Sequence, residues 1–145
     1  EIKDVVRRVQ EAGIYIIGNY IFGLPDDNLE RMQQTLELAL ELNCEFANFY
    51  SAMAYPGSPL YKDAIRLKTP LPDSWKDFSQ HGYNAKPLAN QHCSAAQILD
   101  FRDRAFEKYF SHGPYLDMIR NKFGNNVLGH INDMASIPLK RKLLE

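Results

Sequence analysis

Two short corners of this chain could carry chemistry: Phe22-Gly23-Leu24-Pro25-Asp26 and Ala54-Tyr55-Pro56-Gly57-Ser58. Each follows an apolar run and precedes a helical pattern. In parallel α/β arrangements, ligands meet the carboxyl ends of the strands and the helix N-termini that follow them. At the first corner Gly23 has no Cβ, so a flat ligand could approach the backbone closely, and Asp26 or Asp27 could accept from its hydroxyls. Asn19 is the one amide in its apolar run, and a buried amide must find hydrogen-bond partners. Two readings stay open for it. It either faces a lumen and touches substrate or cofactor, or it is a structural amide satisfied by its neighbours. Asp27 has a structural account of its own, because Glu30 completes a D-x-x-E capping box. Pro56-Gly57-Ser58 is likewise explained by a turn followed by an N-cap.

Most other chemistry lacks a motif. His81, His92, His112 and His130 are scattered without metal-ligand spacing, so no metal site is expected on this chain. Cys44 and Cys93 suit a reducing compartment, and two thiols cannot hold an iron–sulfur cluster. No nucleophile elbow, phosphate-binding loop or Cys–His pair is present. Tyr50, Tyr55, Tyr61 and Tyr83 could stack on a ligand, although an aromatic stripe more often builds a core. With 145 residues, 45% of them hydrophobic and 24% charged, the composition is that of one globular domain. A formal charge of −1 builds no field for nucleic acid or an anionic membrane. The basic run Lys140-Arg141-Lys142 reads as a solvated helix face. No apolar run spans a bilayer, and no leader pattern opens the chain, so a cytoplasmic protein is expected.

The elements that must position the two corners follow from periodicity. Ile2, Val5, Val6 and Val9 recur at helical spacing up to Gly13, as in a helix already in progress, so the sequence looks like a piece of a longer protein. Ile14 to Phe22 is apolar on both alternating sets and predicts a strand covered on both faces. Leu29, Met32, Leu36 and Leu40 mark an amphipathic helix. Glu45 to Tyr55 predicts a second strand, and Ser58 with Pro59 starts another helix. This alternation implies parallel strands. Residues 69–93 form an irregular connecting segment with three prolines and the one Trp. Ser94 and Gln97 box the start of a helix whose buried stripe is Ile98, Phe101, Ala105, Phe106, Tyr109 and Phe110, ended by Gly113-Pro114. Two more helices follow, Tyr115 to Phe123 and Val127 to about Met134, separated at Gly124.

The run GIYIIGNYIFGLPDDNLERMQQTLELALELN, together with FYSAMAYPGSPLY, resembles the radical S-adenosylmethionine superfamily. The likeness is strongest to its cobalamin-binding branch, typified by anaerobic magnesium-protoporphyrin monomethyl ester cyclase. Ile21, Gly23 and Asp26 match the I-x-G-x-x-acid core of a motif that ends the fifth barrel strand, with aspartate for glutamate. Ala54 to Tyr61 matches a P-Y-P-G-T-x-L-Y-like turn after the sixth, with Ser for Thr. The Trp75 segment and LDFRDRAFEKYF look like the C-terminal extension of the same branch. The C-x-x-x-C-x-x-C loop and the cobalamin-binding domain of that branch are not in this sequence.

The resemblance implies the C-terminal portion of a partial (β/α)6 barrel over residues 1–68, the connecting segment 69–93, and an all-helical extension over 94–145. It implies cofactor contacts at Asn19, Ile21, Gly23 and Asp26 and a substrate wall with Tyr50 and Met53. No residue on this chain is singled out as catalytic. In the parent enzyme it implies a [4Fe–4S] cluster, S-adenosylmethionine and cobalamin, with a 5′-deoxyadenosyl radical generated for methyl transfer, cyclisation or a related modification of a small molecule. The chain alone would be inactive and would dimerise through exposed strand edges. The competing reading is a non-catalytic helical interaction module on a small α/β base.

Overall fold

Two six-residue strands, β1 (Ile17–Phe22) and β2 (Phe46–Ser51), pair in parallel in the computed structural model, which describes residues 1–145. The amide of Phe46 donates to the carbonyl of Ile16 and that of Ala52 to the carbonyl of Phe22, so the same register holds at both ends. Five helices accompany them: α1 (Ile2–Glu11), α2 (Leu29–Leu42), α3 (Pro59–Leu67), α4 (Ala95–Phe110) and α5 (Gly113–Ala135). This is a mixed α/β chain with α2 as the crossover between the strands. No helix is long and apolar enough to cross a membrane.

Local chemistry decides the helix ends. Ser58 accepts from the Tyr61 amide and Pro59 fills the first turn of α3, as its sequence predicts. Ser94 and Gln97 exchange the two hydrogen bonds of a capping box at α4. The box predicted at Asp27 and Glu30 does not form. Asn28 caps α2 by accepting from the Arg31 amide, while the Asp27 carboxylate turns back to the Gly23 and Leu24 amides. Gly113 and Pro114 open α5 instead of ending α4, and Gly124 interrupts α5 at φ 81° and ψ 179°, outside helical space.

The strand predicted from Ile14 begins only at Ile17, because β2 offers a partner no earlier than Phe46. Nor is β1 covered on both faces. Tyr20 and Phe22 are buried, whereas Ile17 and Ile21 stay 60% and 46% exposed and Asn19 is exposed with them. Apolarity marks a face that avoids water, but nothing in this chain covers it.

Two compact units divide the chain, and both draw on discontinuous segments. The first comprises Glu1–Tyr20, Gln33–Phe49 and Ala105–Pro138. Its core is aromatic: Tyr109 packs against Phe49, Phe110 and Tyr115, and Phe49 stacks on Tyr20. The buried Tyr109 hydroxyl donates to the Cys44 carbonyl at 2.6 Å, and the Tyr115 hydroxyl to that of Glu45 at 3.3 Å. Burial pushes the Tyr115 phenol up to about 12 and raises Tyr109 and Tyr20 as well. The Glu45 side chain is also buried. It accepts from the Ile16 amide at 2.9 Å and from the Gln10 amide, and it pairs with Lys122. Burial opposes its ionisation, but these donors outweigh it and hold the carboxyl below its ordinary value.

The second unit comprises Ile21–Met32, Tyr50–Arg104 and Leu139–Glu145. Phe22 packs edge-on against Phe101, and Met53, Phe78, Ala85 and Leu99 form a cluster with Tyr61 against it. The segment around Trp75 enters this core through a 3-10 turn, Trp75–Phe78, that buries Phe78 and leaves Trp75 outside. Arg141 does not lie on a solvated helix face. Its guanidinium, 1% exposed, donates to both oxygens of Asp103 at 2.8 and 2.9 Å and to the Gly82 carbonyl at 3.0 Å. Lys140 and Lys142 beside it are exposed, so one residue of the basic run is an anchor and two are solvated.

Two outcomes test these ties. Because the folded pKa of Glu45 lies below its ordinary 4.5, its stabilisation is complete above that value and is lost as pH falls through the folded one. Urea midpoints measured from about pH 7 down to about pH 3 should therefore show an acid limb that flattens in Glu45→Gln, which also starts from a lower midpoint. Arg141→Met should cost about 1–3 kcal/mol in urea unfolding, because Asp103 keeps its bond to the buried Arg102 guanidinium at 2.9 Å, whereas Asp103→Leu, which removes the carboxylate that Arg102 and Arg141 share, should cost about 3–5 kcal/mol.

Candidate functional site

The first corner closes as a polar turn. Gly23 takes φ +83°, and a Cβ built there would lie 2.6 Å from Cγ2 of Ile98 on α4. The glycine is thus required twice, by its backbone conformation and by the side chain that fills the space a Cβ would need. Asp27 Oδ2 accepts from the Gly23 amide at 2.9 Å and the Leu24 amide at 3.0 Å. Asn90 then straps the corner from the connecting segment. Its amino group donates to the Leu24 and Asp27 carbonyls at 2.8 and 3.0 Å, and its oxygen accepts from the His92 and Cys93 amides at 2.9 and 2.8 Å. Leu88 continues the strap with an amide donated to the Ala52 carbonyl just past β2.

Within the second unit these pieces border a cavity of about 510 Å³, in the size range of small-molecule sites. Small residues Gly23, Ala52, Ala64 and Ala89 are among its lining, with apolar walls from Pro25, Leu60, Leu67 and Leu88. The charged groups at it are Asp26 and the Asp63–Arg66 pair, whose ions lie 2.9 Å apart.

Gly23 and Asp26, expected as cofactor contacts, both line this cavity. Ile21 and Asn19 instead belong to the exposed set of β1. The Asn19 oxygen accepts from the Asn48 amino group at 3.0 Å, so the amide is solvent-facing and partnered at once, a combination that the two sequence readings treated as alternatives. Tyr50 is half-buried on β2. Met53, expected on a substrate wall, is packed among Phe78, Ala85 and Leu99, because the chain turns inward after β2. Sequence reasoning passed over Asn48 and Asn90. An asparagine in a strand face was a usable signal for the first; the second is one polar residue among many in an irregular segment.

Cys44 and Cys93 are both buried, one in each unit, and burial raises both thiols, with the Asp27 charge adding to it at Cys93. They leave a [4Fe–4S] cluster without the thiolates it needs. No group of three or more His, Cys, Asp or Glu side chains is placed to hold a metal ion.

No family model matches the sequence. Over 108 residues the chain is 30% identical to an uncharacterized methyltransferase of Pyrococcus horikoshii. That alignment covers 74% of this chain and 23% of the relative, so the chain spans about a quarter of the length of the protein it matches.

The corner makes a direct prediction. Gly23→Ala should lower the unfolding free energy by about 2–4 kcal/mol, combining left-handed strain with overpacking against Ile98. In an Ile98→Ala background the same substitution should cost only the strain, which denaturant titration of the four proteins measures as a double-mutant cycle.

Proposed function

We propose that this chain is the C-terminal part of a radical S-adenosylmethionine enzyme of the cobalamin-binding branch, acting in methyl transfer on a small molecule. In that reading β1 and β2 are the last two strands of a partial (β/α)6 barrel, and the uncovered face of β1 is part of its lumen. One observation carries it: two motif-bearing corners in the family's order, each at the carboxyl end of one of two parallel strands in register. The 30% identity to a protein described as a methyltransferase supports the methyl-transfer half of the reading.

S-adenosylmethionine, when bound, supplies either a methyl group or a 5′-deoxyadenosyl radical. The residues of this chain bind and orient. Exposed Ile21 offers an apolar contact for a flat base, and Asn19 offers a polar one. Gly23 keeps the corner tight, and Asp27 and Asn90 hold its amides and carbonyls so that the turn does not reorganise on binding. The cluster has no ligands here, and no step on this chain runs through it.

The test uses the longer protein that this reading requires, reconstituted with iron and sulfide and then reduced. Release of 5′-deoxyadenosine from S-adenosylmethionine, slowed about tenfold or more by Ile21→Asp, is the expected result, since a charge there opposes an apolar contact. Iron-free protein that converts S-adenosylmethionine to S-adenosylhomocysteine at the full rate would overturn it.

A further inference from the structure

The cavity within the second unit has no part in the function proposed for β1. Neither Asn19 nor Ile21, the side chains offered there to the cofactor, lines it, and Tyr50 and Met53 are absent from it as well. Its walls come from the residues that follow the two strands, from α3 and from the connecting segment between Leu88 and Gln91. Protein interiors leave few voids larger than a water molecule, so an opening of about 510 Å³ between strand ends and a helix has room for a whole ligand.

Floor and mouth differ in chemistry. Gly23, Ala52 and Ala64 are the buried residues of the lining, and the backbone around them is engaged. The Gly23 amide donates to Asp27, the Ala52 carbonyl accepts from the Leu88 amide at 2.9 Å, and the Ala64 carbonyl accepts from the Thr69 amide at 2.9 Å. A polar group pressed onto this floor would lose water without gaining a partner, so the part of a ligand that sits there is apolar. The mouth is made of exposed residues: Pro25, Asp26, Asp63, Arg66, Leu67 and Gln91. Asp63 and Arg66 pair with each other at 2.9 Å. The Asp26 carboxylate has no such partner, because Arg31 reaches only its backbone carbonyl, at 3.2 Å. One uncompensated negative charge thus stands at the entrance to an apolar floor.

We propose that this cavity binds a small alkylammonium ligand, with its hydrocarbon part against Ala52 and Ala64 and its cationic nitrogen at Asp26. The proposal goes beyond the methyl-transfer reading and needs neither iron nor S-adenosylmethionine. Asp27 and Asn90 complete the hydrogen bonding of the turn that carries Asp26, so the carboxylate is presented without reorganisation when the ligand arrives. An exposed carboxylate acts through water, so it selects the sign of the ligand's charge, while apolar contact supplies most of the affinity.

The test is a titration of this chain at low salt, followed through the methyl signals of Ala52, Ala64 and Ala89 in carbon-13 correlation spectra. The probes are n-hexylammonium, n-hexanol and heptanoate, which carry the same hexyl chain and differ in charge. The expected result is a saturable shift of the three methyls by n-hexylammonium, with a Kd on the order of 1 mM for so small a ligand. Hexanol should bind about threefold or more weaker, and heptanoate weaker still. Asp26→Asn, a change at an exposed position, should bring n-hexylammonium and hexanol to within about twofold of each other. Ala89→Leu, which fills part of the cavity from its half-buried side, should weaken n-hexylammonium about tenfold or more. Any one of four outcomes overturns the proposal: no saturable shift of these methyls, hexanol or heptanoate binding as tightly as the ammonium, a preference for the ammonium that survives Asp26→Asn, or full affinity in a folded Ala89→Leu protein.

Discussion

One buried carboxylate organises the first unit. Glu45 sits at the entry to β2, and its two oxygens take the amide of Ile16 ahead of β1, the Gln10 side chain of α1 and the Lys122 ammonium of α5. Its own carbonyl receives the Tyr115 hydroxyl. A charge removed from water is costly unless every lone pair is used, and here several donors from different elements use them. The strands can pair in only one register that leaves Ile16 opposite this carboxylate, because a slip of one residue would send the side chains of β1 to the wrong face. The parallel register, the docking of α1 and the position of α5 are thus aspects of one electrostatic requirement.

The second unit solves a different problem by similar means. A parallel strand must end, and its last carbonyls and amides need partners where the sheet stops. Asp27 supplies acceptors for two amides at the end of β1, and Asn90 supplies donors for two carbonyls of the same turn. Neither interaction is a helix cap, although Asp27 lies one residue before the cap. The corner is rigid because side chains complete its hydrogen bonding, which leaves the neighbouring cavity with a fixed rim. Arg141 and Asp103 perform the equivalent task for the last residues of the chain.

Much of the fold was legible because periodicity and caps are local. The stripe of α4, the cap at Ser58, the box at Ser94 and the break at Gly124 were all written in short windows. Three features were not. Asp27 was assigned to a box with Glu30 because sequence spacing cannot show that Asn28, one residue on, caps better while Asp27 serves the preceding turn. Arg141 looked solvated because its partner, Asp103, is far away in sequence. Met53 belonged to an apolar run whose direction after β2 depends on the packing of Phe78 and Leu99. At the site, Gly23 stood out by type and position, but the reason for it, Ile98, is a tertiary contact. Asn19 was noticed and Asn48 was not, although the two share a cross-strand hydrogen bond.

The two cysteines carry a practical consequence. Each unit holds one, both are buried, and both thiols are shifted away from the thiolate that reacts with alkylating reagents. Native protein is thereby masked at two separate places, and a thiol becomes reactive only when its own surroundings open. Cys44 and Cys93 are built-in reporters of local opening, one for the aromatic core around Tyr109 and the other for the strap at Asn90. Their labelling rates would separate the opening of one region from that of the other without any introduced probe.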